Sequence, residues 1–465
     1  MTRRTPDSGS SVHKAARSPL LAVLLLAFGL RLAAVLWLSD TVPFSDYLYY
    51  HMAGEKISED WSFFFDSSQV EYYGKFGWWP PVYPFAVGTL YTLFGVNHRP
   101  VVFLQVAVGT FLCWCVYRIG RQAGGERVGL VAALLAAVNP TWIFMTNLLA
   151  SENLFSVWLA LGLLLAIRTW RHTRGLAVAG AVFGLGALTR AIGLLVPVVV
   201  ALWLRGRAPG RRARLRSAAW MLGACALVIV PWTLRNALVV GSPAIVCFGG
   251  GINFYFGHNE VGVGYRDLAQ TPMAHLADQA SIDRMGYRLG LRYIADDPLG
   301  FMTRGARKIV DLFGIPVYAP HGNSAILLPD GWRSDPVLNR IAQELRARQR
   351  AKNRYLDGIF TQLAAVHSYL ILVGALAAAL ILWGRLPAEL RLMVYLSLYW
   401  LGSHALFWGQ PRFRYPMELF LTLLAAFAIA QWIRRQPRTA PEVAQPRVRP
   451  GRKRWGNARA RSRSR

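Results

Sequence analysis

The chain has 465 residues, of which 54% are hydrophobic, 12% aromatic and only 16% charged, with a mean hydropathy of +0.30. Soluble domains carry about 25% charged residues, so the composition excludes disordered, collagenous and disulfide-built chains and argues against a soluble multidomain enzyme. Lys and Arg outnumber Asp and Glu by 52 to 24, a net charge of +28. The basic residues lie in short clusters between apolar stretches, which is how a multi-pass membrane protein orients itself and not how a nucleic-acid surface is built. Cys113, Cys115 and Cys225 fall inside apolar runs and Cys247 outside one, so the four make no disulfide framework.

A spanning helix needs about 20 mostly apolar residues. The first candidate, Ser18–Leu38, follows a tail with Arg3, Arg4, Lys14 and Arg17. Its apolar run is long, holds Arg31 and lacks a small-residue cleavage site, so it reads as an uncleaved span with a cytoplasmic N-terminus. Further stretches lie near Val101–Tyr117, Val128–Asn147, Leu154–Ile167, Leu176–Leu188, Gly193–Leu204, Ser217–Leu234, Gln362–Trp383, Glu389–Trp408 and Pro416–Ile433. Val82–Val96 is apolar too, but about 15 residues reach only about 22 Å, short of a ~30 Å hydrocarbon core.

Charge decides whether Val82–Val96 crosses. If it stays outside, Arg118/Arg121/Arg127, Arg168/Arg171/Arg174, the Arg205–Arg216 cluster, Arg385/Arg391 and the C-terminal tail are all cytoplasmic; if it crosses, the first three clusters move outside. The sequence therefore predicts an all-α polytopic membrane protein of about ten transmembrane helices in the cell (inner or plasma) membrane, with both termini cytoplasmic. Val82–Val96 is then an interfacial helix opened by Trp79-Pro80-Pro81. The expected parts are a basic tail 1–17, a transmembrane module 18–235 with an outer loop 39–100, a large outer segment 236–356, C-terminal helices 357–433, and a disordered basic tail 434–465 drawn to anionic headgroups. The outer segment carries Gly249-Gly250-Gly251, which lacks the context of a nucleotide loop, and helical periodicity around Ser281–Ile294 and Pro298–Phe313.

The informative polar residues stand at the outer ends of the spans. Asp46 follows the first span, and Glu152 occupies the turn between the third and fourth. Each reads either as an acid opening a helix or as half of a base-plus-binding pair. Arg190, Arg235, Arg412 and Arg414 run against the positive-inside bias, so they either snorkel to lipid phosphates or hold an anionic ligand at the interface, which guanidinium forks suit. His258, His275 and His321 show no metal-ligand spacing, and His404 reads as a packing residue near the end of its span. The aromatic run Trp61–Tyr73 reads as an interfacial anchor.

These residues resemble the GT-C superfamily of membrane glycosyltransferases, and in particular the family of protein O-mannosyltransferases and the lipid A aminoarabinose transferase. The matching pieces are Asp46 with Tyr50 and Ala53, Pro80-Pro81-Val82-Tyr83-Pro84, Asn139-Pro140 ahead of Ser151-Glu152, Thr189-Arg190, Pro231-Trp232 with Arg235-Asn236, and Arg414-Tyr415-Pro416, in the family's order. The resemblance implies transfer of a sugar from a polyprenyl-phosphate donor to a lipid, glycan or protein acceptor outside the membrane. By it, Asp46 and Glu152 are the catalytic acids, Arg190, Arg412, Arg414 and Tyr415 hold the donor phosphate, and Arg235, Asn236, Tyr50 and Pro81 support them. Some relatives carry Glu-Lys or His before the proline motif, implicated in metal or donor contacts. Trp78 and Trp79 stand there in this chain, which argues against a bound divalent metal, and no other cofactor is implied. Two alternatives stay open: a lipid-linked sugar flippase, and a ligase or polymerase using a pyrophosphate-linked donor.

Overall fold

The computed structural model describes residues 9–38, 46–65, 77–207, 210–259, 271–276, 278–314 and 361–435. Residues 436–465 of the C-terminal tail, residues 1–8 of the first tail, 260–270, 277 and 315–356 of the second large segment with His321, and the aromatic run past Phe65 lie outside the described residues. Among the described residues all regular structure is helical. In chain order the helices are α1 (Gly9–Leu38), α2 (Asp46–Glu59), α3 (Val82–Phe94), α4 (Arg99–Gly124), α5 (Glu126–Ala137), α6 (Pro140–Met145), α7 (Ser151–Thr169) and α8 (Thr173–Ala187). There follow α9 (Val196–Leu204), α10 (Gly210–Val239), α11 (Gly249–Gly257), α12 (Gln279–Asp296), α13 (Pro298–Leu312), α14 (Thr361–Ile381), α15 (Ala388–Leu406) and α16 (Glu418–Arg435). Short 3-10 turns at Trp61–Phe65, Ala191–Leu195, Trp383–Arg385 and Pro411–Arg414 join them.

Among the described residues five helices are long and apolar enough to cross a membrane: Pro19–Trp37 within α1, then α4, α7, α10 and α14. Each coincides with an expected span, and the chain is a multi-pass membrane protein. The other expected spans are shorter or more polar. Val128–Asn147 is two helices, because Pro140 has no N–H and pushes Asn139 into an extended backbone. Asn139 then caps the new start by accepting from the Trp142 N–H at 3.2 Å. Gly193–Leu204 begins as a 3-10 turn before Val196-Pro197 opens α9.

Helix α3 stays at one end of the bundle. Its first N–H donates to Leu188 O at the end of α8 (3.0 Å), and Tyr83 donates to Gln105 in the first part of α4 (3.2 Å). Gln105 in turn donates to Thr146 O and Leu148 O (2.9 and 2.8 Å), just before α7. At the other end, Gln122 of α4 reaches Ile167 O of α7 (3.1 Å), and Arg207 pairs with Glu389 (2.6 Å). Helices α8 and α10 meet so closely at Gly180 that a Cβ there would strike the Met221 carbonyl, the small-residue contact by which helices in lipid approach.

The segment after α10 packs on the first loop. Phe248 N–H donates to Gly77 O (2.7 Å), and Gly77 N–H donates to Gln279 at the start of α12 (3.0 Å). The three glycines at 249–251 open α11. Gly251 lies against the Asp283 backbone with no room for a side chain, while the Asp283 carboxylate accepts its N–H at 2.6 Å. Their role is a close crossing of α11 and α12. Arg31 is fully buried and donates to Ala27 O, Ala137 O and Ala136 O (3.1, 3.2 and 3.2 Å), so its charge rests on the C-terminal carbonyls of α5.

Candidate active site

Four segments distant in sequence bring four charges together. Asp46 is the first residue of α2, Glu152 lies in the first turn of α7, Arg190 sits in extended backbone before the 191–195 turn, and Arg412 lies in the 411–414 turn. Arg412 Nη2 donates to Asp46 Oδ2, and Arg412 Nε meets Glu152 Oε1 at 3.1 Å. Arg190 Nη1 meets the same Glu152 oxygen at 3.0 Å. The order is Asp46–Arg412–Glu152–Arg190, acids and bases alternating, with no net charge.

Burial divides the roles. The Glu152 side chain is 2% exposed and orders both guanidiniums. Asp46, Arg412 and Arg190 keep 28%, 27% and 20% of their side-chain surface, so a ligand can reach them. Burial alone would draw the Arg412 pKa down, but Asp46, Glu152 and Tyr47 outweigh it and hold the guanidinium well above its usual value. Burial also holds the Tyr47 phenol up to about 12, so it stands protonated beside Arg412, whose guanidinium lies over its ring at 5.8 Å. Phe413 presents its ring to both Arg412 (5.4 Å) and Arg190 (5.9 Å).

Tyr50 joins this site through Ser151, whose hydroxyl receives its O–H at 3.2 Å and the Arg190 Nη1 at 2.9 Å. Pro81 is buried at the head of α3 and sets the Val82–Leu188 bond one residue before Thr189-Arg190.

Other expected residues go elsewhere. Arg414 is 2% exposed and belongs to an internal tie: Nε meets Glu418 Oε1 at 3.1 Å, and Nη1 donates to Leu312 O and Gly314 O (3.0 and 3.3 Å). Glu418 also accepts from Asn139 and Ser368, both at 2.8 Å. Nε and Nη1 of Arg414 are thus turned to protein groups and not to the Asp46–Arg412–Glu152–Arg190 cluster. Tyr415 is likewise buried, with its O–H given to Asn153 and its carbonyl taken by Trp142 (3.2 Å). Arg235 and Asn236 fasten neighbouring backbone: Arg235 Nε donates to Phe64 O (2.6 Å), and Asn236 Nδ2 to Ala244 O (2.9 Å).

Sequence reasoning did not single out Tyr47, Phe413 or Glu418. Glu418 had a signal, an acid opening an apolar stretch four residues after an arginine. No group of three or more His, Cys, Asp or Glu side chains gathers at one point among the described residues. His258 is buried and His275 exposed. The two acids are already neutralised by arginines, which would repel a divalent cation beside them, so the cluster does not fit a metal.

Residues 79–234 match the family model for dolichyl-phosphate-mannose-protein mannosyltransferase, a stretch that runs from Trp79 to Leu234 and includes Glu152 and Arg190. The fold aligns with the archaeal oligosaccharyltransferase AglB from Archaeoglobus fulgidus in the apo form (TM-score 0.51, 14% identity) and in complex with an inhibitory peptide and a dolichol-phosphate (TM-score 0.51, 15% identity). Both alignments cover 90% of this chain and 50% of the other, so the chain spans about half the length of those solved structures. No curated protein sequence matches it. Both likenesses are to GT-C proteins, in agreement with the resemblance carried by the sequence motifs.

Proposed function

From this GT-C fold we propose a glycosyltransferase that moves one sugar from a polyprenyl-phosphate donor to a lipid, glycan or protein acceptor on the outer side of the cell membrane. The observation that carries the reading is the Asp46–Arg412–Glu152–Arg190 cluster, gathered at one end of the bundle from four segments. Arg412 and Arg190 are the donor-phosphate ligands, and Glu152 orders them. The leaving phosphate gains negative charge as its bond to the sugar breaks, and preorganised guanidiniums stabilise that charge. An incoming phosphate competes for Arg412 and frees Asp46 from its ion pair. Asp46 then takes the proton of the acceptor hydroxyl as its oxygen attacks the sugar carbon, and the electron pair of the broken bond leaves on phosphate. Tyr47, Tyr50 and Ser151 hold this frame.

Positive-inside bias puts Arg118, Arg168, Arg174 and Arg385 in the cytoplasm and the cluster outside. The expected ten spans and the domain division belong to this reading. A flippase would need polar groups along a path through the bilayer, whereas the buried Arg31 turns both its Nη1 and Nη2 to helix carbonyls. A pyrophosphate-linked donor is the second reading, because two partly exposed guanidiniums suit two phosphates.

The test uses purified protein in lipid with radiolabelled polyprenyl-phosphate sugars and extracted membrane acceptors. Asp46→Asn should lose transfer by about 100-fold or more while folding as wild type. Full transfer by Asp46→Asn removes the base. Transfer only from pyrophosphate-linked donors selects the second reading.

A further inference from the structure

We propose that helix α13, through Lys308, is a splint that sets the position of Arg412, making Lys308 a positioning residue for the donor site. The inference rests on Arg412 as a donor-phosphate ligand. Arg412 lies in the connection between α15 and α16, whose regular structure is one short turn, Pro411–Arg414, with Trp400 Nε1 donating to Phe413 O at 2.9 Å. Asp46 and Glu152 hold the guanidinium itself, but the backbone that carries it must be placed as well, since about 1 Å of misplacement costs rate heavily.

Helix α13 touches this connection at three successive places. Upstream, Lys308 Nζ donates to Ala405 O (3.1 Å) and approaches Leu406 O (3.5 Å), the last carbonyls of α15. In the middle, the Lys308 backbone carbonyl packs on Gly409, where a Cβ could not fit. Downstream, Leu312 O and Gly314 O receive Arg414 Nη1. Arg412 sits between the second and third contacts. Helix α11 closes the other side: Gly257 lies against the Phe407 carbonyl, and His258 Nε2 is 2.7 Å from Leu406 O and 3.2 Å from Lys308 Nζ.

Lys308 is an uncommon choice for this place. It is fully buried, and its partners are carbonyls and a histidine, not a carboxylate. Burial, with Arg304 adding repulsion, lowers its pKa to about 7, and burial lowers His258 to about 4. A methionine would fill the same space without that cost. What the amine adds is direction: its donors fix where α15 ends and so where the chain turns toward Arg412.

The test uses full-length protein in lipid nanodiscs with farnesyl phosphate as probe and farnesol as the uncharged control. Arg412→Ala should weaken farnesyl phosphate binding by about tenfold or more, the scale of a lost charge-assisted contact. Lys308→Met should weaken it by a similar factor with farnesol unchanged, and the double variant should bind no more weakly than Arg412→Ala alone. Additive losses, equal loss of farnesol binding, or wild-type binding by Lys308→Met would overturn the splint. Unchanged binding by Arg412→Ala would overturn the phosphate reading beneath it. Should Lys308→Met fail to fold, Gly409→Ala keeps the amine and forces the two backbones apart. It should show the same selective loss, and wild-type binding by that variant refutes the proposal.

Discussion

Arg412 and Arg414 stand two residues apart with opposite fates. A 3-10 turn has three residues per turn, so side chains two apart leave it in different directions. Arg412 meets Asp46 and Glu152, and Arg414 turns inward to Glu418. Arg414→Ala leaves Glu418 buried without its cation, a loss on the order of 3–5 kcal/mol. Thermal unfolding in detergent should show a large drop for Arg414→Ala and a smaller one for Arg414→Lys, which keeps the charge but not the fork to Leu312 and Gly314. A stable Arg414→Ala with weakened farnesyl phosphate binding would return Arg414 to the donor site. The motif Arg412-Phe413-Arg414 could not reveal this division, because it depends on what each guanidinium meets. The acids at 46 and 152 were legible because charge is rare beside apolar spans; their convergence was not, since it needs four loops placed in space.

At the scale of elements, hydrophobic runs and proline signals were readable and helix breaks inside apolar runs were not. Helices α12 and α13 match the periodic stretches Ser281–Ile294 and Pro298–Phe313 within a few residues. The break at Asn139 passed unseen because a hydropathy window averages across it. Contacts made by an absent side chain are also invisible in one sequence. Gly180 and Gly223 read alike, but a Cβ at Gly180 meets the Met221 carbonyl, while one at Gly223 meets nothing within 4 Å. Helix propensity favours Ala over Gly by about 1 kcal/mol at either position. Gly223→Ala should therefore raise the unfolding temperature or leave it unchanged. Gly180→Ala should lower it, by about 1–3 kcal/mol of overpacking, as α8 and α10 separate. Equal behaviour of the two variants would mean that the α8–α10 crossing does not bind the module.

At the scale of the whole molecule, orientation follows from where α3 begins. Residues Val82 and Tyr83 are tied to Leu188 and Gln105 at the end holding the charge cluster, and α4 departs from that same end. Its 26 residues cover about 39 Å at 1.5 Å each, enough to carry the chain across to the Gln122–Ile167 contact. Residues 95–98 and residues 170–174 therefore lie on opposite faces, and the positive-inside bias assigns Arg171 and Arg174 to the cytoplasm. Asn97 and Arg174 are both exposed, while Cys113, Cys115 and Cys225 are buried and Cys247 is partly covered. In a Cys247→Ser background, Asn97→Cys should react with a membrane-impermeant maleimide on intact cells. Arg174→Cys should react only after the membrane is opened. The reverse pattern would put the Asp46–Arg412 cluster in the cytoplasm, where nucleotide sugars are at hand and a lipid-borne donor has no advantage. Labelling of both sites from one side would mean that α4 or α7 does not cross, and the span assignment would have to be rebuilt from α4 onward.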